Sequence, residues 1–254
     1  AVKKIRGVKD SQVTLTILRN GDKEFKEIKI TRGVINIPTI DTEIKPRDFA
    51  KGKNPDKDGD GLRDDGVYVV RLYNFGATSP NQFKEALRKF SKLGSSKLLL
   101  DLRGNPGGYL EAAVDMASWF LPIETPIVVE KGREDSEKVY RSKGYNIFNK
   151  NLMMVILVDR GSASASEILA GALSEYGVAT LVGEKTFGKG SVQELVRLGK
   201  DSSLKVTIAR WYTPKGRSIS ENGLLPDVAV SISKEDAEKN LDTQFAKAIE
   251  ILNK

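Results

Sequence analysis

Two apolar runs constrain this chain more than any other feature. "KLLLDLR" (97–103) and "LMMVILV" (152–158) are continuous rather than alternating. A strand with one wet face alternates. A continuous run of strand length belongs to a strand buried on both faces, as in a parallel sheet covered by helices. The surrounding segments supply those helices. Ser79-Pro80 is expected to cap and start one that places Phe83, Leu87 and Phe90 on one face and stops at Gly94. "YLEAAVDMASWF" follows the turn "GNPGG", and a third helix begins near Ser164. Further strands are read at "VYVVRLYNF", "PIVVE", "ATLVG", "SVQELVRL" and "LKVTIARWYT". The last segment, "KEDAEKNLDTQFAKAIEILNK", reads as one amphipathic helix with Leu241, Phe245, Ile249 and Leu252 on one face. From Gly66 onward the class is α/β.

The front of the chain differs. Residues 11–30 read as a β-hairpin: Val13, Leu15 and Ile17 alternate with polar residues, Asn20-Gly21 signals a turn, and Phe25, Ile28 and Ile30 form the return. "AVKKIRG" before it reads as the last turn of a helix ending at Gly7, so the chain is expected to lack whatever preceded that turn. Residues 33–65 are rich in Pro, Gly and charge. Within them Asp56, Asp58, Asp60 and Gly61 fit the start of a calcium loop, but the twelfth position is Val67 rather than Glu. Counting from Asn54 instead puts Gly59 sixth and Asp65 twelfth. An acidic turn that binds nothing and a weak calcium site are both open. The organisation is therefore 1–32, a small all-β piece; 33–65, a linker with an acidic loop; and 66–254, the α/β core.

Composition narrows the chemistry. The chain has no cysteine, which excludes disulfides, thiolate nucleophiles and cysteine metal sites. It has no histidine either, so a Ser-His-Asp triad is impossible. The net charge of +7 comes from basic residues dispersed among acids, the pattern of a solvated surface and not of a nucleic-acid stripe. No apolar run approaches the roughly 20 residues of a membrane span, and no signal-peptide pattern opens the chain. No cofactor, metal, nucleic-acid or membrane contact of this chain is expected.

The segment "GSASASEILAGAL" (161–173) then has two readings. Ser164 to Glu167 fits a capping box. A serine at a helix N-terminus also stands beside unpaired amides that stabilise an oxyanion. Without histidine, the remaining base for such a serine is a lysine kept neutral by an apolar pocket. Lys189 in "GEKTFGKGSVQE" suits this: glycines flank it, Phe187 and Val192 are near, and no carboxylate lies within three residues. Lys185 follows Glu184, which favours its charged form. A lysine between glycines is more often a turn residue, and it is the pairing with the serine segment that favours a base here.

Together, "LLLDLRGNPGG", "GSASASEILAGAL", "VGEKTFGKGSVQ" and "GLLPDVAV" resemble the carboxyl-terminal processing (tail-specific) serine peptidases across about residues 66–231. The resemblance implies a crotonase/Clp-like core of mixed sheets and helices and a Ser-Lys endopeptidase cutting proteins and peptides near exposed C-termini. It matches Ser164 to the nucleophile, Lys189 to the base and Gln193 to the glutamine that fixes the lysine amine. It implies Ala165 and Gly108 as oxyanion-hole amides, with Ser162, Ser166, Glu167 and Thr186 in support. Residues 1–32 resemble the C-terminal part of a PDZ domain without its peptide-binding loop. The family further implies a location outside the cytoplasm, in the periplasm or cell envelope, with membrane anchoring by an N-terminal segment. Two rivals compete: a silent docking protein, which an intact Ser164, Lys189 and Gln193 set argues against, and a crotonase-type acyl-CoA enzyme, which would leave those three residues without a purpose.

Overall fold

The computed structural model describes all residues except 1, 22, 35–37, 43–60, 135, 149, 201 and 221. Asp56, Asp58 and Asp60, and with them the calcium-loop reading, lie outside the described residues. The chain divides into two compact units, residues 1–38 and 39–254.

In the first unit a single helical turn, α1 (Val2–Ile5), precedes the antiparallel pair β1 (Gln12–Ile17) and β2 (Lys26–Thr31). Val13 pairs with Ile30 and Leu15 with Ile28. The pair closes at Ile17 opposite Lys26, so Asn20-Gly21 sits inside a longer loop and Phe25 lies before the return strand, exposed. Arg32 ties the unit together, donating to the carbonyls of Ile5, Lys4 and Gln12 and to Ser11 Oγ.

The second unit is built on a six-stranded sheet: β3 (Ile40–Asp41), β4 (Val67–Leu72), β5 (Lys97–Asp101), β8 (Met153–Val158), β9 (Thr180–Gly183) and β12 (Val228–Ala229), in the order β12-β9-β8-β5-β4-β3. All neighbours are parallel except the edge pair β3–β4. This unit starts at Thr39 and not at Gly66, because β3 pairs with β4.

The continuous apolar runs are explained by burial on both faces. Tyr68, Val70, Leu98, Leu100, Met154 and Ile156 join the larger core with helices α2 (Ser79–Lys92), α3 (Leu110–Ala117) and α4 (Ala165–Glu175). The residues between them, Val67, Val69, Leu99, Val155 and Leu157, meet Phe245, Ala248 and Leu252 of the last helix. A second, antiparallel sheet has the order β10-β11-β6-β7, from β6 (Pro126–Gly132), β7 (Glu137–Arg141), β10 (Ser191–Arg197) and β11 (Ser203–Tyr212). Sequence patterning gave no sign of β7, whose residues are mostly exposed and charged.

The C-terminal segment is two helices and not one, α5 (Lys234–Glu238) and α6 (Thr243–Leu252). Asn240 adopts φ +54, and Asp242 caps the second helix by accepting from the Phe245 amide at 2.9 Å. An Asx cap competes with helix continuation. Leu241 consequently falls in the break and is exposed instead of sharing the face of Phe245.

Three consecutive strands of the parallel sheet, β5, β8 and β9, release their following loops from the same end. Leu99 lies beside Val155, and Val155 beside Thr180. "GNPGG", "GSASAS" and "GEKTFGKG", some 80 residues apart at their extremes, therefore emerge side by side at the carboxyl end of the sheet, where open α/β sheets place their sites.

Because α6 covers its face of the sheet through Phe245, Phe245→Ala should lower stability by about 3–5 kcal/mol. Urea unfolding followed by circular dichroism measures this; a loss below about 1 kcal/mol would show that α6 is not part of the cooperative core.

Candidate active site

Strand β8 ends at Val158, helix α4 begins at Ala165, and the chain reverses between them. Of the three serines in that reversal and the first turn of α4, two are consumed by the structure. Ser162 and Ser166 are fully buried; the Ser162 hydroxyl donates to the Leu102 carbonyl at 2.8 Å and the Ser166 hydroxyl to the Asn105 carbonyl at 3.0 Å. Ser164 is partly accessible and occupies the N-cap with φ +55 and ψ −115. Such a backbone costs a non-glycine residue about 1–3 kcal/mol and persists only where its surroundings enforce it. The capping box expected at Ser164–Glu167 is present from both sides: the Ser164 side chain faces the Glu167 amide, and Glu167 Oε2 accepts from the Ser164 amide at 2.9 Å.

Glu167 is fully buried and is the centre of the arrangement. Its Oε1 accepts from Thr186 Oγ1 at 2.5 Å and from the Gly188 amide at 2.8 Å. Its Oε2 accepts from the Ser164 amide and, also at 2.9 Å, from the Lys189 amide. Four donors thus fill a carboxylate whose burial would otherwise be costly. The Ser164 and Lys189 amides share one oxygen, so they are at most twice 2.9 Å, or 5.8 Å, apart. Thr186 is held in turn by the Leu224 amide, which donates to its Oγ1 at 2.7 Å, and this brings "GLLPDVAV" to the site.

The turn "GNPGG" supplies the facing wall. Gly107 has φ +94, and a Cβ there would lie 2.8 Å from Ser164 Cβ and 2.8 Å from the Ala165 nitrogen. Only glycine fits so close to the serine. Gly108 bridges to Phe75, which donates to the Gly107 carbonyl and accepts from the Tyr109 amide. Among the described residues, neither the Gly108 nor the Ala165 amide has an acceptor. Amide donors left free at a helix N-terminus are the kind of group that can stabilise a developing negative charge.

Lys189 and Gln193 are placed differently from the sequence expectation. The apolar pocket expected around Lys189 is not formed: the lysine side chain is exposed, and Phe187 is 65% exposed. Among the described residues, no hydrogen bond joins Lys189 Nζ to Ser164 Oγ or to Gln193. Gln193 lies exposed on β10, next to a bulge after Val192 and opposite Thr207. The lysine backbone is therefore fixed beside the serine while its side chain is open to solvent.

Asn105 was missed by sequence reading. It is fully buried and links the glycine turn to the serine segment; its position inside "GNPGG" was the signal available. Nearby, Arg103 pairs with Asp101 and with Asp242 at the start of α6. Burial opposes its charge, and the two carboxylates more than offset that, holding the guanidinium above its ordinary range. A cleft of about 440 Å³ adjoins this pair, but its Arg103 is committed to Asp101 and Asp242, and neither Ser164 nor Lys189 lines it. Among the described residues no group of His, Cys, Asp or Glu is arranged to hold a metal ion, and no helix is long and apolar enough to cross a membrane.

Comparison with known proteins bears on the same region. The model of peptidase family S41 matches residues 66–230. A carboxyl-terminal-processing protease of Synechocystis is 35% identical over 99% of this chain and 56% of its own length. The carboxy-terminal processing protease CtpB of Bacillus subtilis is 36% identical over 91% of this chain and 44% of its own. The chain thus spans about half the length of these curated relatives. Among solved structures, a photosystem II D1 C-terminal processing protease superposes with TM-score 0.71 at 29% identity, over 97% of this chain and 63% of that one. Mature CPAF, at 13% identity and TM-score 0.62, shares the fold.

Glu167→Gln replaces one accepting oxygen by an NH₂ group facing donors, so two of the four hydrogen bonds become repulsive. Stability should fall by roughly 2–4 kcal/mol. Unchanged urea unfolding would show that the carboxylate does not hold these loops together.

Proposed function

The chain belongs to peptidase family S41, and from that premise we propose that it is a serine endopeptidase cutting protein substrates near their C-termini through a Ser164–Lys189 dyad and an acyl-enzyme. The observation that carries this reading is the pair of amides, Ser164 and Lys189, bound to one oxygen of Glu167. A lysine has a flexible four-carbon stem, and side-chain rotation is the movement proposed to bring its amine to the serine.

Each step has a residue. The neutral Lys189 amine takes the Ser164 proton as Oγ attacks the scissile carbonyl. The carbonyl oxygen, now negative, accepts from the Gly108 and Ala165 amides. The ammonium returns its proton to the departing amine, leaving an ester on Ser164. Water then attacks this ester with Lys189 again as base. Gln193, by turning in from β10, holds the amine on line. A peptide lying over the loop covers Phe187 and the lysine together and excludes the water that now surrounds them.

The substrate class follows the named relatives, which are C-terminal processing proteases. Residues 1–32, a helical turn and two strands, are proposed as the C-terminal part of a PDZ domain. The enzyme is placed outside the cytoplasm, anchored through an N-terminal segment, as the family resemblance implies.

Ser164→Ala should abolish hydrolysis of a peptide substrate while the fold survives. Lys189→Arg should be as inactive as Lys189→Ala, since guanidinium stays protonated. Gln193→Ala should be milder. Near-wild-type turnover by Lys189→Arg would end the dyad assignment.

A further inference from the structure

The two amides assigned to the oxyanion hole come from different loops, and something must fix the distance between them. Asn105 touches both loops, at residues that flank those amides. Its Nδ2 donates to the Leu72 carbonyl at the end of β4, at 2.7 Å. Its Oδ1 accepts from the Gly107 amide at 2.9 Å, one residue before Gly108. Its own carbonyl accepts from the Ala163 amide and the Ser166 hydroxyl, each at 3.0 Å, the residues on either side of the Ser164–Ala165 pair. Its amide donates to the Leu102 carbonyl at 3.2 Å, after β5. The orientation of the side-chain amide is fixed by its partners, since Leu72 offers only an acceptor and Gly107 only a donor.

Asparagine is the side chain that meets both demands at this length. Aspartate would set an oxygen against the Leu72 carbonyl, and alanine would leave that carbonyl and the Gly107 amide unpaired in a dry site. The turn is also held from its other side by the Phe75 backbone. Loss of Asn105 therefore loosens the turn without releasing it.

We infer that Asn105 is the positioning residue of the oxyanion hole, setting the Gly108 amide against the Ala165 amide so that both point at one developing charge. The inference rests on the serine-peptidase reading. It assigns Asn105 to transition-state stabilisation and leaves ground-state peptide binding to other groups. A displacement near 1 Å between catalytic groups costs about a hundredfold in rate.

The test compares wild type with Asn105→Ala and Asn105→Asp, with Ser164→Ala as control. It measures kcat and KM on a peptide substrate, the affinity of a peptide aldehyde, and the affinity of a cleaved product peptide. The aldehyde adds Ser164 Oγ to its carbon; the carbonyl π pair moves to oxygen in the hole, and the serine proton passes to Lys189. In folded Asn105→Ala, kcat should fall roughly a hundredfold and KM stay within about twofold. Aldehyde affinity should fall with kcat/KM, and product affinity should not change. A kcat equal to wild type, or a parallel loss of product binding, would overturn the inference.

If Asn105→Ala does not fold, Asn105→Asp decides. Its protonated carboxyl can donate to Leu72 and still accept from Gly107, so its activity relative to wild type should recover toward acid pH. A ratio that stays flat with pH, at unchanged stability, would contradict the role. If wild type neither turns over peptide nor binds the aldehyde, the peptidase reading itself fails, and this inference with it.

Discussion

The carboxylate of Glu167 is the interaction on which the site depends. A buried charge is tolerated only when hydrogen bonds replace its lost water. Here the replacements come from the serine residue it caps and from three residues of a loop that begins after another strand. The cost of burying the charge and the cost of the Ser164 backbone conformation are thus met by the same contacts. The carboxylate cannot be satisfied unless the two loops approach, and the Phe187 amide, donating to the Ser162 carbonyl at 3.0 Å, joins the same loops beside it.

The sheet makes this economical. Parallel neighbours β5, β8 and β9 deliver their loops to one end without any special device, because each crossover helix returns the chain to the same side. What remains is local adjustment. Glycine at 107 admits the serine, Asn105 joins the glycine turn to the serine segment, and Glu167 joins the serine to the lysine backbone. The resulting site is rigid on one side and open on the other. Ser162, Ser166, Glu167 and Asn105 are buried, whereas Phe187, Lys189 and Gln193 face solvent. Under the proposed dyad, the donors for a developing charge would be set in advance and the base left to be enclosed by an arriving peptide.

The parts legible in the sequence were those whose reason is local or periodic. Continuous apolar runs announced the doubly covered strands, and Ser79-Pro80 announced α2. The absence of histidine left lysine as the base to consider. What escaped depends on contacts distant in sequence. Asn105 reads as an ordinary turn residue until Leu72 and Ala163 are seen beside it. The break at Asn240 is hidden because the apolar spacing from Leu241 onward suits a helix, while the Asp242 cap and the pairing of that aspartate with Arg103, 139 residues away, decide otherwise. Exposed β7 carries no apolar alternation strong enough to declare a strand. The pocket expected around Lys189 failed because sequence proximity of Phe187 says nothing about which way a loop turns its side chains.

In the proposed chemistry Ser164 is a nucleophile activated by the lysine whose backbone Glu167 holds beside it. Reaction with a fluorophosphonate, in which the serine oxygen displaces fluoride from phosphorus, tests it most directly when the adduct is located by peptide mass mapping. One adduct is expected, on Ser164; its formation requires Lys189 and does not occur when the protein is unfolded before the reagent is added. An adduct on a different serine, or peptide hydrolysis by a protein that the reagent never labels at Ser164, would contradict it.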